Sequence, residues 1–410
     1  MFRIHPFAAF RPIAAKSAEI SCEPGMRLSL QEAASKVEAF PNSWLQVVRA
    51  DVRKILSEPE AGTRLFERMK SEKWICQDAQ PQMYVYRQAR MGKKNLALIA
   101  AMEMSATIFS SLLRFQKSDD EAERQTWLRD EALMAHAEIP VLAYEQHEEL
   151  SDFIHSVTNE RPLAHFVGKD GATHTVWSCT DTARAAELVA QVNTLVNLSG
   201  DEMFAHATHA GNTATMLRAV ALTHIGRVIV RASRILVTGG QPALLAESLR
   251  EFQDSAAAQI PDNGGDPPAG FFDTYIAVCN SPNQTAATGG GSWTRRRLPP
   301  IKPDVSLVGN WDRTRVERTI INPWIKVCES THKTEIHSMN SVIRLEQLTQ
   351  FVDSGEAQAA FVFAIPSMDD LLEIARANAL SKASGRDNIP HHALTFSPAI
   401  PSGLFIQSIG

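Results

Sequence analysis

Short apolar runs bounded by turn residues recur along this chain, separated by longer stretches whose apolar positions return every three or four residues. The clearest runs are 83–89 and 95–102. Met91-Gly92-Lys93-Lys94 joins them, so the pair predicts an antiparallel hairpin. Lys169-Asp170-Gly171 does the same between 163–167 and 173–179, which gives a second hairpin. Residues 44–48, 141–144, 271–279, 324–328, 357–365 and 404–409 read as further strands.

The longer period predicts helices at 29–39, opened by Ser29, at 61–71, over the charged stretch 120–137, and at 182–196 behind Asp181. Helical spacing continues at 213–224, 242–257 and 342–352. Ser367 caps a last helix, whose Leu371, Leu372, Ile374 and Ala375 form its buried side. Strands and helices mix without the strict alternation of a doubly wound sheet, so the expected fold class is α/β, of the mixed α+β kind. Proline, glycine and aspartate crowd into 261–270 and mark a linker. It joins an N-terminal α/β portion, 1–260, carrying the site, to a C-terminal α/β portion, 271–410, completing the fold. A second pliable loop is expected at 285–292, and no internal repeat is found.

Composition narrows what these elements belong to. The chain has 410 residues, of which 44% are hydrophobic and 21% charged, enough for two or three packed units without staples. A formal net charge of -5 provides no global field for a polyanion. Only Arg295, Arg296 and Arg297 form a basic run, so neither nucleic acid nor an anionic membrane is an expected partner. Five cysteines lie far apart with no C-x-x-C spacing, which suits free thiols in a reducing compartment. The N-terminus lacks the apolar core of a signal peptide, and no apolar run approaches the roughly 18 residues of a membrane span. A cytoplasmic protein is expected.

The candidate chemistry gathers at 204–218, FAHATHAGNTATMLR, which follows the apolar run 195–198. A strand, a polar turn and a helix in quick succession aim backbone N–H groups at a polar ligand. His206, Thr208, His209 and Asn212 are the side chains this turn offers. His206, His209 and His224, with His391 and His392 from the tail, have a spacing that invites a metal. The adjacent tail pair does not share one centre, and neither acid nor cysteine sits nearby, so no metal is expected. His209 and His392 are candidates for acid or base, since imidazole changes charge near neutrality. Gly289-Gly290-Gly291 lacks the Gly-Lys-Ser/Thr ending of a phosphate loop and reads as flexible.

Several segments, in order, resemble one family, the domain of unknown function 1015 family, related to free-serine kinases of the ParB/sulfiredoxin-like superfamily. They are Pro6-Phe7 with Arg11-Pro12, Pro41-Asn42-Ser43-Trp44-Leu45, Tyr84-Val85-Tyr86-Arg87-Gln88, Asp170-Gly171 with Trp177, and the tail FSPAIPSGLFI at 396–406. The resemblance spans nearly the whole chain. It implies a kinase-type α/β fold in which ATP or ADP, with Mg, donates a phosphoryl group to the hydroxyl of free serine.

Four chemical motifs of the family do not carry over. Its N-terminal proline-tyrosine-aspartate-valine becomes Pro24-Gly25-Met26-Arg27, without the carboxylate. The His-Glu pair that takes the serine proton is replaced across Leu113-Arg114-Phe115-Gln116-Lys117-Ser118. The Asp-Gly-His-His-Arg run becomes Thr208-His209-Ala210-Gly211-Asn212, and Met-Pro-x-Lys-Ser-Thr becomes Ile389-Pro390-His391-His392-Ala393-Leu394. General-base assistance is worth about 100- to 10,000-fold, and lost phosphate-binding charges add to that.

The expectation is a diverged, serine-kinase-like protein that keeps a small-molecule or nucleotide pocket without ordinary serine kinase activity. It would act as a binding or regulatory protein or a partner subunit, alone or in an oligomer. The alternative is re-purposed chemistry, such as ATP- or ADP-dependent phosphotransfer to a different hydroxylated metabolite. Catalytic candidates are His209, His392 and Asp119, the last reading first as part of the acidic start of the helix at 120. Ligand-binding candidates are Gln116, Lys117, His206, Thr208, Asn212, His391 and Arg295. A guanidinium fork at Arg295 suits phosphate.

Overall fold

The first hairpin forms as its pattern requires, and it lies at the centre of a nine-stranded sheet. The computed structural model describes residues 1–24, 30–49, 61–90, 92–114, 116–117, 120–136, 138–145, 147–205, 215–249, 258–259, 266–276, 293–298, 306–328, 334–339, 344–380, 389–390 and 393–409. They fall into two compact units, Met1–Ile229 with Phe396–Gly410, and Val230–Thr395. The described part of the expected 261–270 linker, 266–270, lies inside the second unit, and the tail belongs to the first.

The strands of this sheet are β1 Ile4–His5, β2 Met83–Arg90, β3 Lys93–Met104, β4 Leu113–Arg114, β5 Val141–Tyr144, β6 Ala164–Val167, β7 Thr173–Cys179, β8 Leu195–Asn197 and β9 Met216–His224. Their order is β6-β7-β2-β3-β9-β5-β8-β4, with β1 added beside β3. Pairing is antiparallel except β4 with β8 and β5 with β9. Besides the short helices Ser17–Ile20 and Ala106–Ser111, the helices are α1 Leu30–Ala39, α2 Leu45–Val48, α3 Ala61–Ser71, α4 Asp120–Leu133, α5 Glu148–Val157 and α6 Thr182–Ala190. Asp181 caps α6 as expected, accepting from the Arg184 N–H at 3.0 Å.

One face of the sheet buries Met83, Val85, Leu98, Ala100, Leu142, Val220 and Leu222 against Leu150 and Ile154 of α5 and Ala185 and Leu188 of α6. Burying each large apolar side chain contributes about 1.5–3 kcal/mol. A separate core collects Val37, Trp44, Leu45, Phe66, Met69 and Leu133 from the helices with Ile406 from the tail. In the second unit, β10 Arg234–Thr238, β11 Ala258–Gln259, β12 Phe271–Ile276, β13 Thr294–Arg297, β14 Glu335–Met339 and β15 Ala359–Phe363 form an antiparallel sheet, order β11-β13-β12-β15-β10-β14. Side chains alternate along β15. Ala359, Phe361 and Phe363 enter one core, and Ala360 and Val362 the other, beneath the helix Leu345–Asp353. Ser367 caps the helix Met368–Leu380 through the Asp370 N–H at 3.1 Å.

The mixed α/β class stands, with corrections to particular elements. Residues 213–224 were expected to be helical, yet 216–224 form β9, in the middle of the sheet. Met216, Val220 and Leu222 are all even-numbered, so a period of two accounts for them as well as a helix does, and β3 and β5 supply ladders on both sides. Residues 44–48 contain the single turn α2 instead of a strand, and 324–328 lie in the helix Asn322–Cys328. Runs this short carry no periodicity that separates the two states. The helix expected at 120–137 stops at Leu133, because Ala135–His136 pairs with Gln407–Ser408 of the tail. Only those two tail residues are strand, short of the expected 404–409. The helices expected at 182–196 and 242–257 end at Ala190 and Ser248.

Candidate functional site

Register fixes where the chemistry of the first unit gathers. β4 and β8 run parallel, with Asn197 beside Arg114. β5 runs against β8 and along β9, with Val141 beside Ala221. The ends of β4 and β8 and the starts of β5 and β9 therefore share one end of the sheet. Residues 116–117, 138–140, 198–203 and 215 adjoin those strand ends.

A polar turn follows β8. The Asn197 amide donates to the Gly200 carbonyl at 3.1 Å, and its oxygen accepts from the Ser199 N–H at 3.1 Å. Ser199 Oγ accepts from the Val141 N–H at 2.7 Å, tying the turn to the start of β5. Gly200 has φ +86°, a conformation that glycine alone adopts without cost, and it launches the 3-10 turn Asp201–Phe204. Arg114 pairs with Asp201 at 3.1 Å and lies over the Phe109 ring.

Beside this turn lies a cavity of about 330 Å³, its open mouth included. Its polar walls are Glu138, Ser199 and Glu202, and Pro24, Ile139, Val141, Met203, Ala399 and Ile400 complete it. Most of that volume is open solvent and narrow gaps; the space that a water can enter is about 10 Å³, room for one water molecule. Both carboxylates are buried, Glu138 2% exposed and Glu202 1%. Glu138 Oε1 accepts from Ser402 Oγ at 3.0 Å. A buried charged network supports this wall from behind. Asp130 meets His136 Nδ1 at 3.1 Å and Arg218 at 3.4 Å, and Arg218 donates to the Glu138 carbonyl at 3.0 Å. Burial pushes the Asp130 carboxyl up, but the His136 hydrogen bond and the charges of Arg129 and Arg218 outweigh it and hold the group below its ordinary range. Burial likewise pulls the Arg218 guanidinium down, against Asp130.

Of the residues singled out in the sequence, Gln116 and Lys117 follow β4 directly, at this end of the sheet, with their side chains outside the described set. Asp119, His206, Thr208, His209 and Asn212 lie outside the described residues, as do His391 and His392. Arg295 is on β13 of the second unit, where its guanidinium forks onto Asp273 at 2.7 and 2.8 Å. Asp273 is fully buried, and burial raises its carboxyl despite that pair.

Sequence reasoning missed Glu138 and Glu202. Glu138 is a lone acid before Ile139-Pro140-Val141, whereas Glu202 follows Asp201 and precedes Met203-Phe204. The first pattern is a signal for a buried carboxylate, since acids are seldom buried without purpose. Among the described residues, no group of three His, Cys, Asp or Glu side chains is placed to hold a metal. The described lining carries two carboxylates and no cation, which does not fit the phosphates of ATP or ADP. No helix among the described residues is long and apolar enough to cross a membrane.

Residues 4–201 match the model of a family described as protein of unknown function (DUF1015). This is the family that the sequence segments resemble. No curated protein sequence matches the chain. Among solved structures, it is similar to a mutant free serine kinase in complex with AMP, at 9% identity and TM-score 0.37, over 76% of this chain and 92% of that one. It is also similar to C-terminally truncated SbnI from Staphylococcus aureus, at 8% identity and TM-score 0.33, over 73% of this chain and 84% of that one.

Proposed function

We propose, taking as premise that residues 4–201 carry the DUF1015 framework, that the first unit binds a small polar metabolite in the cavity at the β4/β8 end of its sheet. The chain does not phosphorylate free serine in the ordinary way. The observation that carries this reading is the pair of buried carboxylates, Glu138 and Glu202, in one wall. Buried carboxylates repel phosphate and favour ligands that present ammonium or hydroxyl groups. A small amino alcohol or hydroxylated amino acid meets that demand in charge, with its ammonium or hydroxyl group in the water-sized space and the remainder in the open mouth. The four emptied motifs support the loss of the kinase reaction.

The second reading is phosphotransfer from ATP or ADP to a hydroxylated metabolite other than serine. Either carboxylate could supply the base that 115–118 lacks, but the nucleotide's phosphates would then need cations from outside the described lining. A thermal titration with serine, threonine, ethanolamine, ATP and ADP, each nucleotide with and without Mg, separates the ligands. Amine- and hydroxyl-bearing ligands raise the melting temperature, and Glu138→Gln or Glu202→Gln weakens their binding about tenfold or more, as loss of a charged hydrogen bond of about 1.5–3 kcal/mol predicts. Phosphorus NMR on each nucleotide and acceptor pair reads transfer. Rapid formation of ADP and phosphoserine from ATP and serine would overturn the first reading.

A further inference from the structure

On the β2/β7 side of the same unit, five hydrogen bonds close a ring around one residue of the cavity wall. Tyr86 Oη meets His174 Nδ1 at 2.7 Å, and His174 Nε2 meets Asp170 Oδ1 at 3.1 Å. Asp170 Oδ2 accepts from the Gln88 side-chain amide at 3.4 Å, and Gln88 Oε1 accepts from the Ala399 N–H at 3.3 Å. Tyr86 Oη also lies 3.2 Å from the Ala399 carbonyl, completing the circuit. Ala399 thus has both its backbone groups held, and it lines the cavity. His174 is 2% exposed and stacked between Phe166, at 5.0 Å, and Tyr86, at 6.0 Å.

The ring is one proton short when His174 is neutral. Nε2 then keeps its hydrogen against Asp170, since a bare Nε2 would set a lone pair against a carboxylate. Nδ1 takes the Tyr86 hydrogen, and nothing in the ring donates to the Ala399 carbonyl. As the imidazolium, His174 donates from both nitrogens, and the single Tyr86 hydrogen turns to Ala399. Tyr86 has that hydrogen to give, because burial and the Asp170 charge push its hydroxyl well above the usual phenol range. Asp170 is an acceptor throughout. Burial pushes it up, but His174, the Ala172 N–H and Arg90 hold it below the ordinary range.

We propose that proton uptake by His174 hands the Tyr86 hydrogen to the Ala399 carbonyl, and so locks the 399–400 wall of the cavity through a closed ring of hydrogen bonds. Tyr86, His174 and Asp170 act here as positioning residues. The charged and titratable groups facing the imidazole are Asp170 from the turn, Tyr86 from β2 and, through Asp170, Arg90 at the end of β2; β6 presents only Phe166, and the tail only backbone. The consequence for a ligand rests on the cavity being its site, whereas the device itself is testable without any ligand.

The chain has two Ala-Ile pairs, Ala364-Ile365 and Ala399-Ile400. Protein labelled with carbonyl-¹³C alanine and ¹⁵N isoleucine therefore gives two carbonyl-correlated amide signals, which Ala364→Gly assigns. Over a pH series, the Ala399 carbonyl resonance shifts with the same midpoint as the ring nitrogens of His174, the Ala364 signal from the second unit serves as the internal shift reference, and near-ultraviolet dichroism follows the fold. In His174→Gln and Tyr86→Phe the Ala399 response is lost. Gly168→Ala abolishes it by another route, because a Cβ there would stand 2.4 Å from His174 Nε2 and 2.6 Å from Asp170 Oδ1. An Ala399 carbonyl that stays still while His174 titrates overturns the proposal, as does a His174 that never titrates while the protein remains folded.

Discussion

Asp130→Ala destabilises the first unit by about 3–5 kcal/mol, the cost of removing one partner from a buried ionic group. Asp130 is 1% exposed and Arg218 3%, and the substitution leaves that guanidinium facing Arg129 with its main compensating charge gone and only the more distant Glu138 opposing it. Asp130→Asn keeps the shape and loses only the charge, so it separates the electrostatic share from a cavity. Urea unfolding followed by tryptophan fluorescence reads both, and a loss below about 1 kcal/mol for the alanine variant would show that the network is dispensable. The same group sets a pH dependence. Its folded carboxyl lies below the ordinary range of about 4, so its contribution is complete above that value and is lost as the pH falls through the unfolded and then the folded pKa. Wild type therefore loses stability on acidification from about pH 5 downward more steeply than Asp130→Asn. Equal slopes would remove Asp130 from the account.

Gly403→Ala is expected to be nearly as damaging, by a different mechanism. Gly403 has φ +78°, and a Cβ built there stands 2.4 Å from Trp44 Cγ and 2.6 Å from Trp44 Cβ. Trp44 is fully buried, packed edge-on against Phe66 at 5.2 Å, so it has no open side toward which to move. The left-handed backbone costs about 1–2 kcal/mol for an L side chain, and overpacking adds about 1–3 kcal/mol. Gly171 supplies the control. Its φ is +75°, but nothing lies within 4 Å of an added Cβ, so Gly171→Ala shows the backbone cost alone. Thermal unfolding with near-ultraviolet dichroism of the tryptophans distinguishes the two. If Gly403→Ala costs no more than Gly171→Ala, the tail does not seat on Trp44 as the structure has it.

The Trp44 contact explains why two segments of the family resemblance, PNSWL at 41–45 and FSPAIPSGLFI at 396–406, stand far apart in sequence yet act together. Trp44 receives Gly403, the Cys22 N–H donates to Ser402 at 3.2 Å, and Tyr84 of the YVYRQ segment packs on Phe405 at 5.0 Å. The tail segment 399–402 then supplies Ala399 to the cavity and Ser402 to Glu138.

The sequence by itself determined the two hairpins, because turn chemistry and a period of two are written within a short local stretch. It also determined the Asp181 and Ser367 caps, the buried stripe of the last helix and the mixed class of the fold. Only the tertiary structure decided that 216–224 is a central strand, since a run whose apolar positions fit both periods takes its state from its neighbours, and those neighbours lie at 98–104 and 141–144. The same holds for the functional end of the first unit. Glu138, Glu202 and Ala399 share one wall because β5, β8 and the tail converge there, and no local pattern encodes which strand ends meet or which acids the meeting will bury.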